Sequence, residues 1–298
     1  METYSFLTAQ DLLTLAETRH LTLGQIVLKH AAEEQNQTEA ELMAEMGVRL
    51  QVAREAVAKG LEISDRSKSG LTGGDAKRLR AYQPQHLLLG STLLKAVTYS
   101  FAIMEHNARF GRIVAFPTAG SSGAVLATLL AAQEELKASD EAVILAMFAS
   151  AGIGIIIAEH AMLAGATGGC QAEVGSASAM AAASLTELRG GTPSQALHAA
   201  SICLKGMLGL VCDPIGGLVE APCVKRNATG VSNAFMSSEI ALAGVESNVP
   251  FDEVVDAMRN IAKQLPSTLR ETAKGGLAIT PTGKRVWEQV MGGACRVL

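Results

Sequence analysis

Residues 142 to 158, AVILAMFASAGIGIIIA, run for seventeen positions with one serine as their only polar side chain. A stretch this apolar either crosses a bilayer, for which it stands at the short limit, or lies as a helix surrounded by other helices. The second reading fits the sequence better. It is a single such segment, it has neither an aromatic belt nor a basic flank, and Gly152 and Gly154 leave room for a neighbouring helix. The expectation is an all-α protein packed around this helix, with no membrane as partner.

The rest of the chain agrees with helix. Aromatic residues make up only 4% of it, and long stretches are rich in Ala, Leu, Met, Glu and Lys, which favour helix over sheet. Thr8 with Asp11, and Thr38 with Glu41, have the spacing in which hydroxyl and carboxylate reciprocally satisfy the free N–H groups of a helix start. After Thr38, Met43, Met46, Leu50, Ala53 and Val57 step by threes and fours, and Gly60 is placed to close that helix. Thr192, Pro193 and Gln195 open another helix, expected to run to about 210. Pro250 and Pro281 open two more, the last ended by Gly292 and Gly293. The expected organisation is an N-terminal helical arm over residues 1–65 and a single helical catalytic domain over residues 66–298.

Charge and cysteine usage exclude several classes. The net charge of −4 arises from interspersed acids and bases, with no basic block to neutralise a run of phosphates, so nucleic acid is not an expected partner. Five cysteines, an odd number gathered mostly in one half of the chain, do not form a secreted disulfide framework. The opening METYSFLTAQDLL lacks the basic start and apolar core of a signal peptide. A reducing, cytoplasmic location is expected.

Four glycine-rich breaks interrupt the helices: SGLTGGDA (69–76), PTAGSSGA (117–124), AGATGGCQAEVGSAS (164–178) and CDPIGG (212–217). Cys170, Cys212 and Cys223 all fall in or beside such breaks, next to glycine or proline. Rigid loop backbone can aim thiolates at a common centre, which points to a soft-metal site; the alternative is that these are small buried hydrophobes. No C-x-x-C pair or histidine pair supplies a compact zinc set, so iron and sulfide are the better match. Cys203 is in phase with Ala196, Ala199 and Met207 and reads as core. Cys295, in the tail GGACRVL, is either an ordinary terminal thiol or a further ligand that swings onto an open iron.

Two of the breaks also have the composition of anion sites. In PTAGSSG, backbone N–H groups around Gly120, a helix start, and the hydroxyls of Thr118, Ser121 and Ser122 suit a substrate carboxylate. The loop carries no G-K-[ST] and is not a Walker A motif. Ser69 and Thr72, followed by Asp75, make SGLTGGDA the second candidate. Among six histidines none has metal-ligand spacing, and His106 is the one placed to act as a base. Glu173 is either a group supporting the Cys170 site or a local cap.

GGCQAEVGSASAMAAA, GLVCDPIGGLVEAPCVKRNA and PTAGSSG resemble the α chain of the iron–sulfur-dependent L-serine dehydratases, over most of the chain from SGLTGGDA to LRETAKGGLA. The resemblance implies a [4Fe-4S] cluster held by Cys170, Cys212 and Cys223, with one iron left open. It implies release of pyruvate and ammonia from L-serine by an L-serine ammonia-lyase, with the open iron as Lewis acid for the leaving hydroxyl. Single-chain members of that family carry an additional N-terminal domain, so a separate β chain is implied as partner here. Some relatives end on a cysteine that binds the fourth iron; here Arg296, Val297 and Leu298 follow Cys295. The alternatives are a lyase of the L-cysteine desulfidase kind and a non-catalytic metal-binding helical protein.

Overall fold

The computed structural model describes residues 3–294. Three helices come first: α1 (Ala9–Arg19), α2 (Leu23–Gln35) and α3 (Glu39–Glu62). Each starts on a reciprocal cap, from Thr8 with Asp11, Thr22 with Gln25, and Thr38 with Glu41. Their apolar faces do not stand apart from the remainder. Leu12, Leu23, Ile26 and Leu50 belong to the same buried cluster as Met147 and Ile153.

The short α4 (Asp75–Ala81) leads to α5 (Ser91–Asn107), α6 (Ser122–Leu136) and α7 (Asp140–His160). After α8 (Gly165–Gly168) come α9 (Ser176–Leu188), α10 (Pro193–Lys205), α11 (Cys223–Leu242), α12 (Phe251–Gln264) and α13 (Pro281–Ala294). Among the described residues there is no strand; Cys212 and Arg270 form an isolated bridge.

The apolar run opens the core as expected: it is α7, capped by the Ser139 side chain. By length and composition it is able to cross a membrane, yet 67% of its most apolar window is buried in the fold. Gly152 faces Val27 of α2 and Gly154 faces Met180 of α9. α9 is the helix with which α6, α7, α10 and α11 all pack. Its small residues allow this: Ala177, Ala179, Ala181, Ala182 and Ala183 are wholly buried, so neighbouring helices approach without bulky side chains between them. Three of its buried hydroxyls bond backbone carbonyls one turn back, Ser178 to Val174, Ser184 to Met180 and Thr186 to Ala182. Each fully buried Leu, Ile or Met around this core contributes roughly 1.5–3 kcal/mol of transfer free energy.

Three helix ends differ from the sequence expectation. α3 continues past Gly60 to Glu62. A Cβ at Gly60 would lie 2.0 Å from the Ala102 carbonyl oxygen, so this glycine permits α3 and α5 to touch instead of ending the helix. α10 stops at Lys205, where Gly206 turns the chain, rather than near 210. α13 runs through Gly292 and Gly293 to Ala294; glycine in a helix costs about 1 kcal/mol and does not by itself end one.

Candidate functional site

The three cysteines of the glycine-rich breaks are positioned by different devices. Cys170 begins the helical run that passes through a π turn, Gln171–Gly175, into α9. Gln171 anchors this entry: its backbone N–H bonds the Leu210 carbonyl at 2.9 Å, its Nε2 donates to Met258 at 3.2 Å, and its Oε1 accepts from Gly209 at 2.8 Å. Such π turns widen a helix locally and are frequent at functional sites. Cys212 is held by backbone alone, donating to Leu269 at 2.9 Å and accepting from Glu271 at 2.7 Å. Cys223 is the first residue of α11, where the helix dipole favours a thiolate. Two of the three thus stand at helix starts, where a loop position was expected.

Asn227, one turn into α11 and wholly buried, joins this helix to the PTAGSSG segment. Its Nδ2 donates to the carbonyls of Cys223 at 2.9 Å and Gly120 at 2.8 Å, and its Oδ1 accepts from the Gly123 N–H at 3.1 Å. Sequence reasoning missed this residue. An asparagine four positions after a cysteine carries no signal until the opposing loop is in view.

All three thiols are buried and lie within electrostatic reach of one another. Burial pushes Cys170 up to about 11, against the pull of Arg226. Cys223 is pushed up to about 12 by burial, then by Cys170 and Glu173. Cys212 rises as well, through burial first and then through Cys170, Glu173, Glu271 and Cys223. Shielded from water and surrounded by like charge, these thiols remain protonated unless a cation takes the protons' place. The donor set therefore suits a soft, positively charged group. Among the described residues no three His, Cys, Asp or Glu side chains close on a single-ion position. A cluster asks for something different, because each thiolate meets its own iron.

Glu173 shares this centre. Burial raises its carboxyl, opposed by a hydrogen bond from Thr118, whose Oγ1 lies 3.0 Å from Oε1. Gly165 borders both groups: a Cβ there would lie 2.8 Å from Glu173 Oε2 and 3.1 Å from Cys212 Sγ. Glu173 also faces Gly120. The carboxylate is thus a bridge between the cysteine centre and the PTAGSSG turn, and not a local cap.

The remaining candidates divide. Thr118 and Ser121 bond each other at 2.9 Å, and Ser122 donates to the Ala119 carbonyl at 3.0 Å. Ser69, with Ser67, donates to Glu220 Oε2, which ties the SGLTGGDA loop to the loop between Cys212 and Cys223. Thr72 is buried and its hydroxyl has no hydrogen-bond partner among the described residues. His106 packs its ring on Gly111, and burial followed by Lys59 lowers its pKa; none of these contacts reaches the thiols. Cys203 is wholly buried in the main core. Cys295 lies outside the described residues.

The sequence profile of the family described as "Serine dehydratase alpha chain" matches residues 18–278. This chain belongs to the serine dehydratase alpha chain family. It is 46% identical over 290 residues to a probable L-serine dehydratase alpha chain of Bacillus subtilis, covering 97% of this chain and 96% of that one. The L-serine dehydratase alpha chain of Peptoniphilus asaccharolyticus is 45% identical over 280 residues, covering 94% and 96% respectively. The L-serine dehydratase of Streptomyces coelicolor is 34% identical over 284 residues, which are 93% of this chain and 61% of that longer protein. These two alpha chains match this chain over nearly all of their length, whereas the Streptomyces coelicolor protein contains sequence beyond the matched part.

Proposed function

We propose that the chain is the α chain of an L-serine ammonia-lyase. It eliminates water from L-serine, and the resulting aminoacrylate tautomerises and takes up water to give pyruvate and ammonia. The observation that carries this reading is the burial of Cys170, Cys212 and Cys223 within one another's electrostatic reach. It is supported by family membership and by the names of the alpha-chain relatives.

In this reading Cys170, Cys212 and Cys223 hold a [4Fe-4S] cluster. When bound, it supplies a Lewis acid for the serine hydroxyl, the poor leaving group of the reaction. The chain's own residues shape the surroundings. Gly165 leaves space beside Cys212, and Glu173, kept from water and bonded to Thr118, sets a carboxyl against the same space. The Gly120 turn at the start of α6 is the candidate seat for the substrate carboxylate; the N–H groups of Ser121, Ser122 and Gly123 are already bonded to Thr118, Ala119 and Asn227, and the hydroxyls of Thr118, Ser121 and Ser122 fix the shape of the turn. Ser69 and Thr72 belong to the second loop of this site, joined to it through Glu220. A separate β chain completes the enzyme, in line with the alpha-chain naming of the relatives, and a reducing cytoplasm suits four free, buried cysteines.

The test is pyruvate release by the anaerobically reconstituted chain together with its β chain. L-serine is expected to be consumed faster than L-cysteine. A rate with L-cysteine equal to or above that with L-serine would assign the site to desulfidation instead.

A further inference from the structure

Arg226 is the cation that the thiol centre's neighbours leave unexplained. It lies three residues into α11 from Cys223, with its side chain largely buried. Its Nη1 donates to the Val211 carbonyl at 2.7 Å and stands 2.8 Å from Asp213 Oδ1. Those two partners flank Cys212 on either side. The same guanidinium lies within electrostatic reach of Cys170, whose thiol its charge pulls downward. One planar group therefore binds both neighbours of Cys212 while being anchored on the helix that begins with Cys223, with Cys170 within reach of its charge.

Asp213 completes the arrangement. Its side chain is almost fully buried, and Oδ2 accepts the Leu277 N–H at 2.8 Å. Oδ1 has no hydrogen-bond donor and meets Arg226 by charge alone. The acidic neighbours of the thiols, Glu173 and Glu271, act in the opposite sense to Arg226. Three thiolates around a [4Fe-4S] core of charge about +2 leave a net charge of about −1, which a buried guanidinium matches. Lysine would keep the charge but lose the planar fork that reaches several partners at once.

We infer that Arg226 is the positioning residue of the thiol centre: it fixes the Cys212 segment against the helix that begins with Cys223 and balances the charge of the group the three thiols hold, with Asp213 tempering that charge. The inference rests on the cluster reading above. A nearby positive charge favours the reduced, more negative cluster, so its removal lowers the reduction potential, and removal of a nearby negative charge raises it. A merely structural ion pair would give no such opposition of sign, since breaking it from either side would loosen the same contact.

The experiment measures iron and sulfide content and the reduction potential of the cluster, by spectroscopic titration of the full chain reconstituted without oxygen. Arg226→Gln is expected to shift the potential down and to retain less iron than wild type. Arg226→Lys is expected to keep the potential near wild type while also retaining less iron. Asp213→Asn is expected to shift the potential up. If Arg226→Gln does not assemble, Asp213→Asn decides alone: an unmoved or lowered potential there overturns the inference. Wild-type protein that takes up no iron would instead overturn the cluster reading itself, which keeps the two failures apart.

Discussion

At Gly165 one methyl group decides whether the thiol centre keeps its shape. The Cβ of an alanine would meet the Glu173 carboxylate at 2.8 Å and the Cys212 sulfur at 3.1 Å, and neither neighbour is free to retreat: Glu173 is bonded to Thr118, and Cys212 is held by backbone on both sides. Gly165→Ala is expected to lower iron retention at least several-fold while the helical circular dichroism stays at the wild-type level; full iron content would show that the approach is not tight in the loaded protein. The cysteines separate in the same way. Cys170→Ser, Cys212→Ser and Cys223→Ser should each lose the cluster on iron and sulfide analysis. Cys203→Ser should keep it and lose only stability, by about 1–3 kcal/mol in urea denaturation, because a hydroxyl replaces a wholly buried thiol. Loss of iron in Cys203→Ser would mean the ligands are wrongly assigned.

Among the elements, the α2 start shows what the local sequence can and cannot reveal. Its reciprocal cap, Thr22 with Gln25, has the same spacing as the caps of α1 and α3 and is written within four residues. Its second partner is not: Glu187 of α9 accepts the Gly24 N–H at 3.1 Å from 163 residues away. Burial lifts the Glu187 carboxyl from the ordinary 4.5 to about 7, against bonds from Thr22, Gly24 and Leu23. The folded chain therefore holds a proton that the unfolded chain gives up at lower pH. The contribution is complete below the unfolded value near 4.5 and is lost as pH rises through about 7. Glu187→Gln removes this dependence. Relative to the variant, wild type should lose up to a few kcal/mol between about pH 5 and about pH 8 in urea denaturation; equal slopes would contradict the burial of this carboxyl.

The same division explains how much of the site was legible. Helix starts and the buried α7 follow from short-range pattern, and the three cysteines stand out as candidates for the same reason, since capping, periodicity and glycine-rich breaks are local. Asn227, Arg226 and the Glu220 link act across separations of 104, 13 and 151 residues, Asn227 to Gly123, Arg226 to Asp213 and Glu220 to Ser69. Their polar atoms matter only once distant loops have met. The π turn at Gln171–Gly175 was equally hidden, because its extra residue per turn is enforced by the anchors of Gln171 and not by propensity. The glycines misled in one respect: Gly60 and Gly292 looked like helix ends, and both lie inside helices.

In the whole molecule, a helical core dense in alanine holds the cysteine-bearing segments that border it. α9, packed on four other helices, continues directly from the π turn after Cys170, and α11, which begins at Cys223, packs on the same helix. The rigidity of that core is thus transmitted to two of the three thiols, while Cys212 depends on the segment 269–271. In the proposed enzyme these thiols hold iron and sulfide with one iron open to substrate. The measurement that tests it most directly is the visible absorption spectrum of the chain purified without oxygen, with iron and sulfide assayed on the same sample, before and after addition of L-serine. The expected result is a broad sulfide-to-iron band, about four irons and four sulfides per chain, and a change in the band when L-serine is added. A colourless protein that binds zinc, or that takes up no metal on reconstitution, would contradict it.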